Sequence, residues 1–325
     1  MVRYTLRRIF ITIPILLVMS VLTFIGARAV ASPESALRFN PRVRAEDIAR
    51  YREQLGLDDS EFVQYTRWLG KFVTGDLGNS LVARRGVGEM LAEALRNTIV
   101  LAIVALAFSL LIGILVGIIA AVRQNSWFDY TTTGLSLLGI ATPVFLVGLM
   151  LQLVLGVYLQ RWLNTSEPIF FTAGMTSPGT QGFDLMDRLR HIALPALALG
   201  VQLVAIYSRY MRASLLEVLN SDYLRTARSK GISERRVLVK HGVRTALIPL
   251  TTQAAIDIGL LMGGLLITEV IFAWPGMGTL FLQALFDGDY VVILPWLMIT
   301  AAAVFIFNLI ADLLYAVLDP RIRYA

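Results

Sequence analysis

No cysteine occurs in the chain, and histidine appears only at His191 and His241. The first absence excludes disulfide frameworks, thiolate metal sites and cysteine nucleophiles. The second leaves little from which a histidine metal site could be built. Charge is also scarce. Asp, Glu, Lys and Arg make up 16% of the 325 residues, against roughly a quarter in soluble domains. A net charge of +6 is modest over this length and does not describe a nucleic-acid binder. Hydrophobic residues reach 56% and mean hydropathy is +0.67. Disordered chains, which are poor in apolar residues, are thereby excluded. The reading is an all-α polytopic membrane protein.

A transmembrane helix needs about 20 mostly apolar residues. Runs without charge cover Ile9–Ala27, Asn97–Val122, Tyr130–Gln160, Ile192–Ser208, Thr245–Thr268 (interrupted by Asp257) and Tyr290–Ala311. Six transmembrane helices are expected, because a lipid-facing backbone must satisfy its own hydrogen bonds. The basic start (Arg3, Arg7, Arg8) and Ala29-Val30-Ala31 resemble a cleaved leader. The apolar core is longer than the roughly 7–15 residues of a leader, however, so a retained first helix is expected. The organisation read from this is a first span over 1–31, an external helical lobe over 32–96, and a five-helix core over 97–325.

Orientation follows from short basic loops. Leu215–Arg244 carries Arg225, Arg228, Lys230, Arg235, Arg236, Lys240 and Arg244 against Glu217, Asp222 and Glu234. With six spans it shares a side with the N-terminal arginines and with Arg321 and Arg323, and that side should be the cytosol. In Ser32–Arg96 ten basic residues meet ten acids, and long loops cross largely regardless of charge. That lobe is placed outside. Its Ala45–Leu55 segment has helical spacing, and Phe62, Tyr65, Trp68, Leu69 and Phe72 form an amphipathic stripe. It reads first as a cap packed on the membrane core and second as a docking surface for an external partner.

The cytosolic loop holds a short helix, Tyr223–Lys230, with Ser221 or Asp222 as N-cap and Gly231 in the left-handed position beyond its end. Ser233 caps a second helix towards His241. On the outside, Trp274-Pro275-Gly276-Met277-Gly278 breaks any helix, and its apolar setting suggests a fold back toward the bilayer against protein. Asp257, deep in the fifth span, reads either as a pathway residue or as a carboxyl bonded to a neighbour such as Gln253. Asp312 reads as a boundary residue. Gly113/Gly117 and Gly259/Gly263 are close-packing faces. Pro143 should kink the third span, His241 should cap, and Trp162, Trp274 and Trp296 should mark interfaces. No Gly-x-Gly-Asp motif accompanies the aspartates, which argues against an intramembrane aspartyl protease, and no nucleophile–base pair or metal cluster suggests another membrane enzyme. There is no Gly-x-x-x-x-Gly-Lys-Ser/Thr loop, so any ATP would act on another subunit.

Several motifs fall in one order along the chain. Asp222-Tyr-Leu-Arg-Thr-Ala-Arg-Ser-Lys-Gly-Ile-Ser-Glu-Arg-Arg236 is followed by Lys240-His241 and Ala246-Leu-Ile-Pro249. Upstream are Gln54-Leu-Gly-Leu-Asp58, Val63-Gln-Tyr65, Trp68-Leu-Gly70, Gly75-Asp-Leu-Gly-Asn-Ser80 and Ala141-Thr-Pro143-Val-Phe145. Downstream are Gly263-Gly264, Glu269-Val-Ile-Phe272, Trp274-Pro-Gly-Met-Gly278 and Asp319-Pro320-Arg321. Together they resemble the permeases of ABC importers, closest to the dipeptide/oligopeptide/nickel branch. Arg225-Thr226-Ala227 stands where the general signature has Glu-Ala-Ala. Pro249 lies further on than in the general pattern.

That resemblance implies a type I importer-like permease fold in a bacterial plasma (inner) membrane, with both termini cytoplasmic. It implies a second homologous permease, two ABC ATPases carrying ATP and Mg, an external substrate-binding protein and surrounding lipid. No cofactor is expected on this chain, and it is expected not to be an enzyme. The helix at about 222–231 would seat in an ATPase groove through Tyr223, Arg225, Thr226, Ala227, Gly231 and Ile232. Pro143, Gln253 and Asp257 are candidate pathway residues. Trp274, Pro275, Gly276 and Gly278 are candidates for an external gate or loop. The expected cargo is a dipeptide or oligopeptide, with a nickel chelate, glutathione or haem as alternatives. A stand-alone secondary transporter or channel is the competing class. It would call for internal repeats or several intramembrane charges, whereas only Asp257 stands deep.

Overall fold

The computed structural model describes residues 2–30, 52–53, 56–80, 82–180 and 182–318. Apart from Arg52 and Glu53, the expected Ala45–Leu55 helix lies outside these residues, as do Ala31 and Asp319-Pro320-Arg321. Among the described residues the regular structure is helical, with one isolated antiparallel bridge between Asn79 and Gly86.

The helices are α1 (Val2–Val30), α2 (Glu61–Val73), α3 (Val87–Val122), α4 (Trp127–Ala141), α5 (Val144–Leu151), α6 (Leu159–Leu163), α7 (Leu185–Leu219), α8 (Asp222–Ser229), α9 (Glu234–Arg236), α10 (Arg244–Gly264), α11 (Leu266–Ile271), α12 (Met277–Phe286) and α13 (Tyr290–Leu318). Wider π-helical turns at Gln152–Tyr158 and Val237–Val243 join α5 to α6 and α9 to α10.

Among the described residues five stretches are long and apolar enough to cross a membrane: Leu6–Arg28, Val87–Val122, Val144–Leu163, Leu185–Leu219 and Tyr290–Ile310. The remaining expected span lies on α10, 21 residues long. Thr251, Thr252, Gln253 and Asp257 make it more polar.

Helix ends depart from the charge-free runs. The second run is the C-terminal part of α3, whose 36 residues extend about 54 Å. The fourth is the middle of the 35-residue α7. The third run is broken where only a kink was expected. Thr142 is extended, and Pro143 begins α5 as its N-cap, since proline drives the preceding residue out of the helical region. The fifth is interrupted at Leu265.

The described chain divides into two compact units. One comprises Ile99–Trp274 and the helix from Phe307 onward. At its core Leu203, Tyr207, Met211 and Leu215 of α7 meet Ala121 of α3 and Ala246, Leu250 and Ala254 of α10. Glycine makes this approach possible. A Cβ on Gly113 would lie 2.7 Å from the Tyr207 Cβ, and one on Gly117 would lie 2.6 Å from both the Met211 Cβ and the Ser208 carbonyl oxygen. On Gly259 it would lie 2.6 Å from Asn308 Oδ1. The packing expected of Gly113/Gly117 and of Gly259 is therefore what these residues do.

α4 runs antiparallel along α7 in fixed register. Asp129 pairs with Arg212, Ser136 Oγ lies 3.2 Å from Ser208 Oγ, and Gln202 Nε2 donates to the Thr142 carbonyl at 2.8 Å. The loop before α7 folds onto that helix's first turns. Ser177 donates to Asp187 through N–H and Oγ at 2.9 and 2.6 Å, Phe171 stacks on His191 at 4.2 Å, and Arg190 donates to the Pro168 and Ile169 carbonyls.

The second unit comprises Val2–Thr98 and Pro275–Ile306. α2 packs on α1: Ser20 Oγ meets Tyr65 Oη at 2.8 Å, Arg28 donates to Gln64 Oε1 at 2.9 Å, and Phe24 meets Tyr65 edge-on. The expected α2 stripe holds for Tyr65 and Trp68, but Phe62 is 74% exposed and Gln64 is buried instead. Gln64 leaves water because it is fully engaged. Its amide nitrogen donates to the Leu57 and Asp59 carbonyls. Beyond the Gly75-Asp-Leu-Gly turn, Ser80 Oγ donates to the buried Asp289 carboxylate at 2.5 Å, just ahead of α13.

Candidate functional site

α8 is the most sharply bounded element on the expected cytosolic side. Lys230 N–H returns to the Thr226 carbonyl and Gly231 N–H to that of Arg228. Gly231 takes φ +75° with no neighbour near its missing Cβ. Its backbone conformation therefore calls for glycine, as expected for a helix stop. The expected serine caps are different. Ser221 and Ser233 hold the N-cap positions, yet neither side chain accepts a capping bond. Ser221 Oγ donates backward to the Val218 carbonyl at 2.5 Å.

Two features hold α8 in place. Leu224 is fully buried, facing Leu215 of α7 and Gly242 of the π turn. Arg228 pairs with Glu234 at 3.0 Å, with Nε 3.1 Å from the second carboxylate oxygen. This guanidinium draws the Glu234 carboxyl below its ordinary range. Exposure on both sides limits such a pair to under about 1 kcal/mol, so Leu224 is the main anchor. The opposite side is open: Tyr223, Arg225 and Thr226 are exposed. Ala227, three residues on from Leu224 and so on its side, and Ile232, beyond the helix end, are half-buried. Among the described residues Arg225 pairs only with Asp222, at 3.7 Å.

The expected second cytosolic helix is not separate. From Glu234 the chain runs helically through the π turn into α10. His241 lies within that turn. Its carbonyl accepts from Thr245 Oγ1 at 3.1 Å, while its ring makes no hydrogen bond among the described residues, so the expected side-chain cap is absent.

Asp257 is 7% exposed. Its carboxylate accepts from Tyr207 Oη at 2.9 Å and from Gln253 Nε2 at 3.0 Å. Gln253 was legible one turn away, whereas Tyr207 lies 50 residues earlier. Pro143 is exposed at its break, and its carbonyl accepts from the Leu146 and Val147 N–H groups.

Trp274 closes its own unit, 1% exposed, with its backbone N–H on the Glu269 carbonyl at 2.8 Å. In the other unit the turn into α12 has its polar backbone satisfied by side chains. Asn97 Nδ2 donates to the Pro275 carbonyl at 2.8 Å, and Met277 N–H donates to Thr98 Oγ1 at 2.8 Å. Gly276 N–H donates to Thr279 Oγ1 at 3.0 Å. Trp296 Nε1 donates to the Met277 carbonyl at 2.7 Å. Gly278 is buried. Of the three tryptophans expected at interfaces, Trp162 is exposed, but Trp274 and Trp296 are buried in protein. Among the described residues no cluster of three metal-ligating side chains occurs.

Two family models cover the chain nearly end to end. The binding-protein-dependent transport system inner membrane component matches residues 113–324, and the N-terminal model of the same membrane component matches residues 1–102. This chain belongs to that family. The oligopeptide transport system permease protein AppB of Bacillus subtilis is 42% identical over 100% of both chains. The dipeptide permease DppB of Alkalihalophilus pseudofirmus and the glutathione permease GsiC of Salmonella paratyphi A are each 36% identical over the full length of both. A chain of the MetNI methionine ABC transporter, solved in inward-facing conformations, shares the fold with a TM-score of 0.55. At 16% identity, that likeness covers 71% of this chain and 96% of the other.

The permease is thus a multi-pass membrane component of a transport system and not an enzyme. Sequence reading missed four of its residues: Leu224, Tyr207, and the Asp129–Arg212 pair, whose two nitrogen–oxygen contacts measure 2.5 and 2.8 Å. Only Leu224 left a local trace, as an apolar residue inside a polar helix.

Proposed function

We propose that the permease forms, with a second homologous permease, the pathway by which an ATP-driven importer moves short peptides into a bacterial cytosol. The full-length similarity to permeases named for oligopeptides, dipeptides and glutathione carries this reading. Glutathione is itself a short peptide. Two ATPases, binding ATP and Mg, dock beneath, and an external binding protein delivers the cargo. Both termini and α8 face the cytosol, consistent with the basic balance of the segment around α8.

In this reading α8 seats in a groove on one ATPase. Tyr223, Arg225, Thr226, Ala227, Gly231 and Ile232 form the contacting end, and Leu224 ties the helix to its own chain. The test is Thr226→Glu in the reconstituted importer. A bulky charge on the contacting face is expected to leave membrane insertion intact and to cut ATP-driven peptide uptake by at least about tenfold, the scale of one lost interface hot spot. Normal uptake would remove α8 from the ATPase contact. Co-purification of a second permease and two nucleotide-binding subunits from native membranes would support the assembly. A chain that emerges alone would count against it.

Pro143, Gln253 and Asp257 are proposed to border the pathway, and Trp274, Pro275, Gly276 and Gly278 its external end. Asp257 tests the first group. Asn at 257 keeps an acceptor for Tyr207 but removes the charge. Uptake of peptides with a free amine is expected to slow while the basal ATPase rate holds. Unchanged uptake across substrates would leave Asp257 a helix-packing residue only.

A further inference from the structure

An open cavity of about 520 Å³ lies between α4 and α7, lined by Thr133, Ile140, Ile206, Arg209, Tyr210 and Arg212. Its two cations differ. Arg212 is committed to the buried Asp129 through Nε and Nη2, so that pair contributes no net charge. Arg209 is exposed and makes no hydrogen bond or ion pair among the described residues. The cavity therefore carries one uncompensated positive charge above an apolar wall.

Its depth is marked independently. Trp127 and Tyr130, at the start of α4, are 80% and 66% exposed, as interfacial aromatics are. The α4–α7 register puts Arg209 about one turn deeper, near Thr133. From there α4 continues outward-facing and apolar through Leu137 and Ile140.

We infer that this cavity binds an anionic phospholipid. Arg209 and the remaining Nη1 of Arg212 take the phosphate, the Tyr210 hydroxyl reaches the headgroup, and one acyl chain lies against Ile140 and Ile206. Basic pockets between membrane helices select headgroups in this way. A single charge suits a singly charged phosphodiester, and a zwitterionic lipid would bring its own cation against Arg209. The inference holds whichever leaflet contains the site and does not depend on the transported substrate.

The test is native mass spectrometry of the full chain in mild detergent, and of the assembled importer, with phosphatidylglycerol and phosphatidylcholine of matched chains. Phosphatidylglycerol should be retained about tenfold over phosphatidylcholine, the value of one charge-assisted hydrogen-bonded contact. Arg209→Gln should bring the ratio near one, and Arg209→Lys should keep most of it. Millimolar inorganic phosphate should not release the lipid. Three outcomes would overturn the assignment: an unchanged ratio in Arg209→Gln, release by phosphate alone, or loss of the lipid on assembly, which would show that a partner protein covers the cavity.

Discussion

Alanine at position 117 should lower the stability of the purified permease, whereas alanine at 134 should raise it slightly. Both glycines are inside helices, where replacing glycine with alanine is worth up to about 1 kcal/mol. Gly134 has nothing within 4 Å of its missing Cβ, so that gain is expected in full. At Gly117 the new methyl would stand 2.6 Å from a Cβ and from a backbone carbonyl of α7. Neither is the end of a flexible side chain. The helices would have to part by about 1 Å to reach a normal carbon contact near 3.5–4.0 Å. Overpacking of this kind costs about 1–3 kcal/mol, or a fall of about 2–10 °C in thermal midpoint for a chain of this length. In lipid the loss is not repaired by hydrophobic attraction, because helix association rests on close packing. Thermal unfolding in detergent, followed by tryptophan fluorescence, measures both variants. Equal midpoints would mean that α3 and α7 do not approach as described.

Leu224→Ala should free α8 while leaving the membrane helices folded. The substitution empties a fully buried site against Leu215 and Gly242, a loss of about 2–5 kcal/mol. The exposed Arg228–Glu234 pair holds less than about 1 kcal/mol and cannot compensate. A short peripheral element bound this way opens as a local unit. Limited proteolysis between Asp222 and Arg236 should accelerate at least tenfold with an unchanged thermal midpoint. On the proposed role of α8, ATP-driven uptake should collapse in parallel. Wild-type protease resistance would show that Leu224 is not the anchor.

The spans and the bounded helix at 222–231 were legible because each has a local cause. Lack of charge over about 20 residues reports a bilayer, and a glycine just past a short polar helix reports a left-handed stop. Helix ends were less legible. A charge-free run measures hydrocarbon, whereas a helix continues as long as its backbone bonds close. α3 therefore runs through Glu89, Glu93 and Arg96 before its charge-free part begins. Least legible were pairings between distant residues. Ser80 and Asp289 are separated by 209 positions, and Asp129 and Arg212 by 83. Nothing local to either partner names the other. The buried Trp274 and Trp296 were misplaced for a related reason. An aromatic residue near a span end looks the same in sequence whether its N–H meets an interface or a carbonyl such as that of Met277.

The wide turn at Val237–Val243 also sets a phase. A π segment holds one residue more per turn than an α-helix, and each residue of an α-helix advances the azimuth by about 100°. Since α9, this turn and α10 are continuous, the direction in which Asp257 points, fourteen residues beyond Val243, is fixed at the base of the rod as well as by its neighbours. Resolving that one surplus residue into a regular α-turn would swing the carboxylate away from Tyr207 by more than a quarter-circle without breaking the helix. A single inserted or deleted residue between Arg236 and Arg244 should therefore be far more disruptive than most substitutions there.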